Sequence, residues 1–241
     1  MDNDSVKMKK EYPIKRFTRS TGYEDLKDWV AEEKEVTVFL NGKKAAVLLC
    51  SPVHLDELAV GHLFASGRIK REDLVQVLVQ EGKYSINVIT GSKTLESAGT
   101  SAKEKAVESA GQNREKGVDE FLDIINELSG KSEIFRETGG AHTAALLLPL
   151  GLIFREDVGR HNAVDKLLGY CAMNKIYDED AALLLSGRVS GEIVTKANML
   201  GVSTIVSRSA PTSLAVEKAQ EFGMTLVGFA RGDRANIYTH F

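Results

Sequence analysis

Four short stretches of this 241-residue chain combine arginine with glycine or hydroxyl groups directly after an apolar run. They are Arg155–Asp165 (REDVGRHNAVD), Ser186-Gly187-Arg188-Val189-Ser190, Ser207-Arg208-Ser209-Ala210-Pro211-Thr212-Ser213, and Gly228-Phe229-Ala230-Arg231-Gly232-Asp233-Arg234. Guanidinium forks suit phosphate, carboxylate or the edge of guanine. A helix N-terminus adds unpaired N–H groups and partial positive charge. Converging, such loops make a pocket for a phosphorylated polar ligand, with Arg160, His161, Arg188, Arg208, Ser209, Arg231 and Arg234 on its walls. Asp157 and Asp165 are then expected to orient arginines or accept base N–H groups. Ser190, Thr212 and Ser213 fit helix N-caps equally well, and Gly187 and Gly232 fit simple turns. A Ser186/His161/Asp157 triad can be written down, but no spacing specifies it.

The elements that must position these loops follow from patterning. Residues 1–20 read as a polar arm leading into a first strand. Val36–Leu40 and Lys44–Cys50 form a hairpin around Asn41-Gly42, the preferred two-residue turn. Pro52 opens a helix with Leu55, Leu58, Ala59, His62 and Leu63 at helical spacing, which Gly67 stops. His54 and His62 on it are expected to face solvent or a subunit contact. Leu74–Gln80 and Tyr84–Thr90 read as a hairpin about 81–83. Gly91–Gly117 is polar and almost free of large apolar side chains, the composition of a long mobile loop. Val118–Leu128 is amphipathic. Ala144–Leu148 and Leu152–Glu156 form a hairpin, and Asn162–Met173 a helix. Strand Ala181–Leu185, helix Gly191–Leu200, strand Ser203–Val206, helix Thr212–Phe222 and strand Thr225–Val227 then alternate, and strand Arg234–Thr239 closes the chain. That alternation implies a mostly parallel sheet covered by helices, with ligands beyond the carboxyl ends of its strands. The expected fold class is α/β with an α+β N-terminal part. The expected divisions are a strand-rich part (1–90), a loop (91–117) and an α/β cofactor-binding part (118–241).

A second cluster, Thr138-Gly139-Gly140-Ala141-His142-Thr143, pairs a double glycine with a histidine before an apolar strand. This suggests close backbone approach, or a tight turn with His142 at its edge. Net charge is −3 and the hydrophobic content 43%, so no global basic field invites nucleic acid. No apolar run approaches the ~20 residues of a membrane span, and the N-terminus lacks a signal-peptide core. A cytoplasmic location is expected. Cys50 and Cys171 lie far apart on apolar elements, as core thiols do; they make no disulfide framework or zinc motif, and no metal is expected.

Five stretches carry a resemblance: SPVHLDELAVGHLFASGRI (51–69), FRETGGAHTAAL (135–146), FREDVGRHNAVDKLLG (154–169), SGRVSGEIVTKANMLGV (186–202) and SAPTSLAVEKAQEFGMTLVGFARGDRANIYTH (209–240). In these the chain resembles the FdhD/NarQ family of formate dehydrogenase accessory sulfurtransferases. The resemblance implies a sulfur carrier between a cysteine desulfurase and the molybdenum cofactor of formate dehydrogenase. It implies binding of that cofactor's bis(molybdopterin guanine dinucleotide) form, with GDP as a surrogate. It matches the cofactor-binding signature to Phe229, Ala230, Arg231, Gly232, Asp233 and Arg234. It further implies a homodimer and a cytidine-deaminase-like three-layer sandwich, without zinc, in the C-terminal half. One departure stands out. The family's sulfur-carrying Cys-x-x-Cys, followed by Gly-Lys-Glu, aligns with Ser97-Ala98-Gly99-Thr100-Ser101-Ala102-Lys103-Glu104. Ala98 and Ser101 fall where the cysteines belong, and neither can form a persulfide, which needs a thiolate. Two functions stay open: a sulfurtransferase, or a module that binds and delivers the cofactor without covalent sulfur chemistry.

Overall fold

The computed structural model describes residues 8–80, 84–91, 117–149 and 151–240. The expected loop therefore lies outside the described residues apart from its ends, as do Ala98 and Ser101.

The N-terminal arm is a two-stranded antiparallel ribbon, β1 (Lys9–Thr18) with β2 (Gly22–Ala31), in register from Lys9↔Ala31 to Thr18↔Gly22. Strand β2 has no counterpart in the sequence pattern: neither face of the ribbon is buried, so no polar–apolar alternation marks it. Its base is fastened to the body: Lys9 pairs with Glu133 and Glu137, and Met8 packs with Val53, Ile134 and Ala141.

The next unit is a four-stranded sheet in the order β4-β3-β6-β5, built from β3 (Lys34–Leu40), β4 (Lys43–Cys50), β5 (Leu74–Gln80) and β6 (Ser85–Thr90). Both expected hairpins are present, and β3 pairs with β6 in parallel. Asn41 and Gly42 have φ of 49° and 78°, which is why that pair makes the tight turn. Val36, Val38, Leu40, Ile86 and Val88 face helix α1 (Leu55–Ala65), which buries Leu55, Leu58, Val60 and Leu63 against them. Each such side chain contributes about 1.5–3 kcal/mol. The helix starts at Leu55 rather than Pro52, because His54 before it is left-handed (φ 51°).

The main sheet has six strands in the order β12-β11-β10-β9-β7-β8. They are β7 (His142–Leu148), β8 (Gly151–Asp157), β9 (Ala182–Leu185), β10 (Thr204–Ser207), β11 (Thr225–Arg231) and β12 (Arg234–Thr239). The sheet is mixed, which corrects the mostly parallel expectation. Only β9, β10 and β11 pair in parallel; β7 runs against β8 and β9, and β12 against β11. The physical reason is connection length: β7–β8 and β11–β12 are joined too tightly for a parallel crossover.

Alternate residues serve opposite faces. Ala144, Leu146, Leu183, Leu185, Ile205 and Leu226 pack with α4 (Arg160–Asn174), α5 (Gly191–Leu200) and α6 (Ser213–Glu221). Ala145, Leu147, Ala182, Leu184, Val206 and Val227 pack under α2 (Val118–Lys131). Helix α3 (Glu133–Thr138) follows α2 and ends at Gly139. The whole is a mixed α/β fold in which helices α1 and α4 join the two sheets. At their crossing a β-carbon on Gly61 would overlap the Asp165 carbonyl, and one on Gly169 the Glu57 carbonyl. Among the described residues no helix is long and apolar enough to cross a membrane.

Candidate functional site

Strand direction brings the predicted loops together. Strand β8 is antiparallel to β7, which is antiparallel to β9, so β8, β9, β10 and β11 all end at one edge. The first residues of β7 and β12 lie there too. At this edge a cavity of about 300 Å³ has an apolar wall of Ile125 and Leu128 from α2 and Phe135 from α3. The facing wall is polar: His142, Thr143, Ser186, Arg208, Ser209 and Arg231, with Ser132 beside them.

The loops forming the polar wall are tied to one another. Thr143 N–H donates to Ser186 Oγ (2.9 Å) and Ser186 N–H to the Thr143 carbonyl (3.0 Å). Ser207 Oγ donates to the Gly187 carbonyl (2.7 Å) and accepts from Ser209 N–H (3.0 Å). Phe229 N–H donates to the Ser209 carbonyl (3.1 Å). Such cross-wiring fixes the loops that carry the cavity side chains before a ligand arrives. Ser190 and Thr212 cap α5 and α6, accepting from Ile193 and Ala215 N–H groups, while Ser213 is the first residue of α6.

Of the expected site residues, Arg208, Ser209 and Arg231 line the cavity. Arg160 begins α4 against Gly187, where a β-carbon would meet its Cβ at 3.3 Å, and its Nε is buried without a hydrogen-bond partner. Arg188 is exposed in the loop after β9. His161 turns toward α5, 3.2 Å from Ser190 Oγ and 3.6 Å from Glu192. Burial pushes its imidazole down, Lys196 and Arg160 add to this, and Glu192 opposes it. In the segment Phe229–Arg234, Phe229 takes a left-handed backbone (φ 52°) beside a register shift in the β11–β12 ladder. The Arg231 guanidinium lies 5.7 Å from its ring centre. Ala230 is fully buried under α2 and packs in the core rather than facing the cavity. Gly232, Asp233 and Arg234 are exposed, and Asn126 of α2 clasps Gly232 through its carbonyl (2.9 Å) and N–H (3.2 Å).

One expectation is corrected. Asp157 and Asp165 do not orient arginines. Asp157 is paired with Lys166 at 2.7 Å, both fully buried, and accepts from the Ser51 and Gly159 N–H groups and Asn162 Nδ2. Asp165 is paired with Lys196 at 2.8 Å. A buried carboxylate needs a compensating charge, and these lysines are nearer than any arginine of the edge. The Ser186/His161/Asp157 triad is likewise not assembled, since each member has other partners. Arg155, from the same charged stretch, makes a bidentate pair with Glu57 (2.5 and 2.7 Å) and stacks 4.7 Å from the Tyr170 ring centre. Most charge between Arg155 and Asp165 thus fastens α1, α4 and α5 together.

His54 and His62 sit at that seam, each about a third exposed and 3.8 Å from Glu57 and Asp165 respectively. The double glycine does make a close approach: Gly139 caps α3, and a β-carbon on Gly140 would lie 3.0 Å from Ala31 Cβ in β2. Cys50 and Cys171 are both buried, as expected, and burial pushes the Cys50 thiol up to about 12. The apolar wall was not legible in the sequence as part of a site. Its one signal was the amphipathic pattern of α2, which equally fits plain packing.

Comparison with known proteins gives these features a context. The chain is 34% identical over 255 residues to the sulfur carrier protein FdhD of Geobacillus kaustophilus, covering 96% of this chain and 95% of the relative. It is 36% identical over 261 residues to the sulfur carrier protein FdhD of Bacillus pumilus, covering 99% and 97%. A crystal structure named for a formate dehydrogenase accessory protein of Desulfotalea psychrophila superposes with a TM-score of 0.82 at 27% identity, covering 97% of each chain. The sequence model of the FdhD/NarQ family matches residues 31–241, and the chain belongs to that family.

Proposed function

We propose that this chain serves formate dehydrogenase maturation by holding a guanine-dinucleotide form of the molybdenum cofactor at the edge of the main sheet. One observation carries the reading: Arg208, Arg231 and the hydroxyl-bearing Thr143, Ser186 and Ser209, on loops tied to one another, line one cavity together with Ile125, Leu128 and Phe135. Phosphate oxygens suit the arginines and a flat base suits the wall of Ile125, Leu128 and Phe135. A volume of about 300 Å³ is at the small end of ligand pockets. It accommodates one nucleotide arm, not the whole bis-dinucleotide. Arg160, His161, Arg188, Asp233 and Arg234 form the rim assigned to the remainder. The bound cofactor supplies the molybdenum chemistry of the client enzyme; the residues of this chain bind and orient it.

The sulfur step of the family is separate. With Ala98 and Ser101 at the family's cysteine positions, the two cysteines of the chain are Cys50 and Cys171. A thiol pushed up to about 12, as at Cys50, holds almost no thiolate at neutral pH. We therefore read this chain as a binding and delivery member of a sulfur-carrier family, acting in the cytoplasm as a homodimer. A cysteine desulfurase and formate dehydrogenase are its family partners. The helices on both faces of the main sheet support a cytidine-deaminase-like sandwich as its architecture.

The test combines GDP titration with labelled persulfide formation by a desulfurase and cysteine. Micromolar GDP binding and background persulfide are expected in the unaltered chain, with a gain of persulfide in the Ala98→Cys/Ser101→Cys double variant. Stoichiometric persulfide on Cys50 or Cys171 overturns the delivery reading; absence of GDP binding overturns the cofactor site.

A further inference from the structure

Among the described residues, His142 is the one titratable cavity side chain besides the arginines. It opens β7, lines the cavity with Arg208 and Arg231, and is half-buried. Gly187 lies behind it: a β-carbon there would come within 3.1 Å of His142 Nδ1 and 3.3 Å of Arg160 Cβ. The bare glycine is what lets the imidazole and the Arg160 side chain share one corner.

Arg208 and Arg231 share the cavity with this imidazole, and three further charged groups act on its protonation. Arg160 of α4 and Arg188 of the loop after β9 oppose its protonation, and Asp157, its ladder partner on β8, favours it. Asp157 is already engaged by Lys166 and by three hydrogen-bond donors, so its pull is largely spent. Burial is the largest influence and acts in the same direction as the arginines, holding His142 below the usual imidazole range. An anion in the cavity reverses the balance. It offsets the guanidinium charge and offers oxygens to which an imidazolium, with donors on both nitrogens, can bond.

We propose that His142 is a further ligand-binding residue of this cavity, and that a phosphorylated ligand enters it together with one proton, taken from solvent and held on the imidazole. The proposal rests on the reading of the cavity as a phosphate-binding site. Its sign follows from linkage. The ligand-bound midpoint of His142 lies above the ligand-free one, so affinity rises as pH falls from the upper midpoint to the lower and is flat outside them. Each unit of separation is a tenfold change in affinity, on the order of 10-fold to 100-fold for a typical anion contact.

The experiment is calorimetric titration of the full chain with GDP in buffers of differing ionisation enthalpy, near about pH 6.5, the ordinary imidazole midpoint. His142→Gln, which keeps a polar side chain but cannot charge, is run in parallel. The ligand's own phosphate titrates in both proteins, and the NMR midpoint followed below separates it from that of the histidine. The expected result is net proton uptake in the unaltered chain beyond that of the variant, and an affinity whose pH dependence is shallower in the variant. As a check that needs no variant, one of the five histidine imidazoles, followed by NMR, should move its titration midpoint up by about one unit or more when GDP or pyrophosphate is added. Equal uptake in both proteins, or GDP binding with no histidine midpoint displaced, overturns the role of His142 and leaves the cavity reading standing. No binding of GDP or pyrophosphate at any pH overturns both.

Discussion

Lys166 Nζ and Asp157 Oδ2 lie 2.7 Å apart with neither side chain reaching solvent. The lysine also donates to the Glu156 carbonyl (3.1 Å), and the aspartate accepts from Ser51, Gly159 and Asn162. This knot ties the end of β8, the start of α4 and the segment before α1 into one frame. Removing one charge strands the other in the interior. Lys166→Met and Asp157→Asn are each expected to cost about 3–5 kcal/mol, read from urea unfolding. The double variant should recover a large part of that loss, because no uncompensated charge remains. A single variant whose unfolding curve overlaps that of the unaltered protein would refute this account of the pair.

The α1–α4 crossing predicts a contrast among glycines. Gly61→Ala and Gly169→Ala push a methyl group into facing backbone and should destabilise by about 1–3 kcal/mol or more. Gly130 in α2 has nothing within 4 Å of its β position, so Gly130→Ala should stabilise by roughly 0.5–1 kcal/mol through lower chain entropy. Thermal unfolding of the three variants is the check. Similar melting temperatures for all of them would mean that the helices can part without cost.

Ligand affinity should grade the arginines by position. Arg208 and Arg231 line the cavity, so alanine at either should weaken GDP by about 10-fold or more, the loss of one charge-assisted contact. Arg208→Lys should restore little, since an ammonium cannot reproduce the planar fork. Arg234, exposed at the start of β12, should matter less to a single nucleotide. Titration of these variants ranks them, and equal affinity in Arg208→Ala, Arg231→Ala and the unaltered chain would remove the cavity from consideration.

The local elements were legible in the residues. Asn41-Gly42 specifies its turn because both positions take positive φ, and the strand–helix alternation from residue 182 onward follows from apolar periods read within a few residues. The four arginine loops were recognisable for the same reason: each is the short link after an apolar strand. The β1–β2 ribbon was not, since it buries neither face and so leaves no alternating pattern to read.

What the residue order determined by itself, then, is most of the elements from Val36 onward, the edge at which Arg160, Arg188, Arg208 and Arg231 collect, and the family stretches from Ser51 onward. What only the tertiary structure decided is which charges pair with one another. Asp157 and Asp165 look like site residues in the chain, yet Lys166 and Lys196 take them at 2.7 and 2.8 Å, and Glu57 takes Arg155. The Lys196 and Glu57 partners sit on other helices, at sequence separations no local pattern reports. The same holds for His142, which with Arg160 packs against Gly187 where three elements meet at one sheet edge. A buried charge must be compensated through space, so its partner is chosen by packing and not by position along the chain.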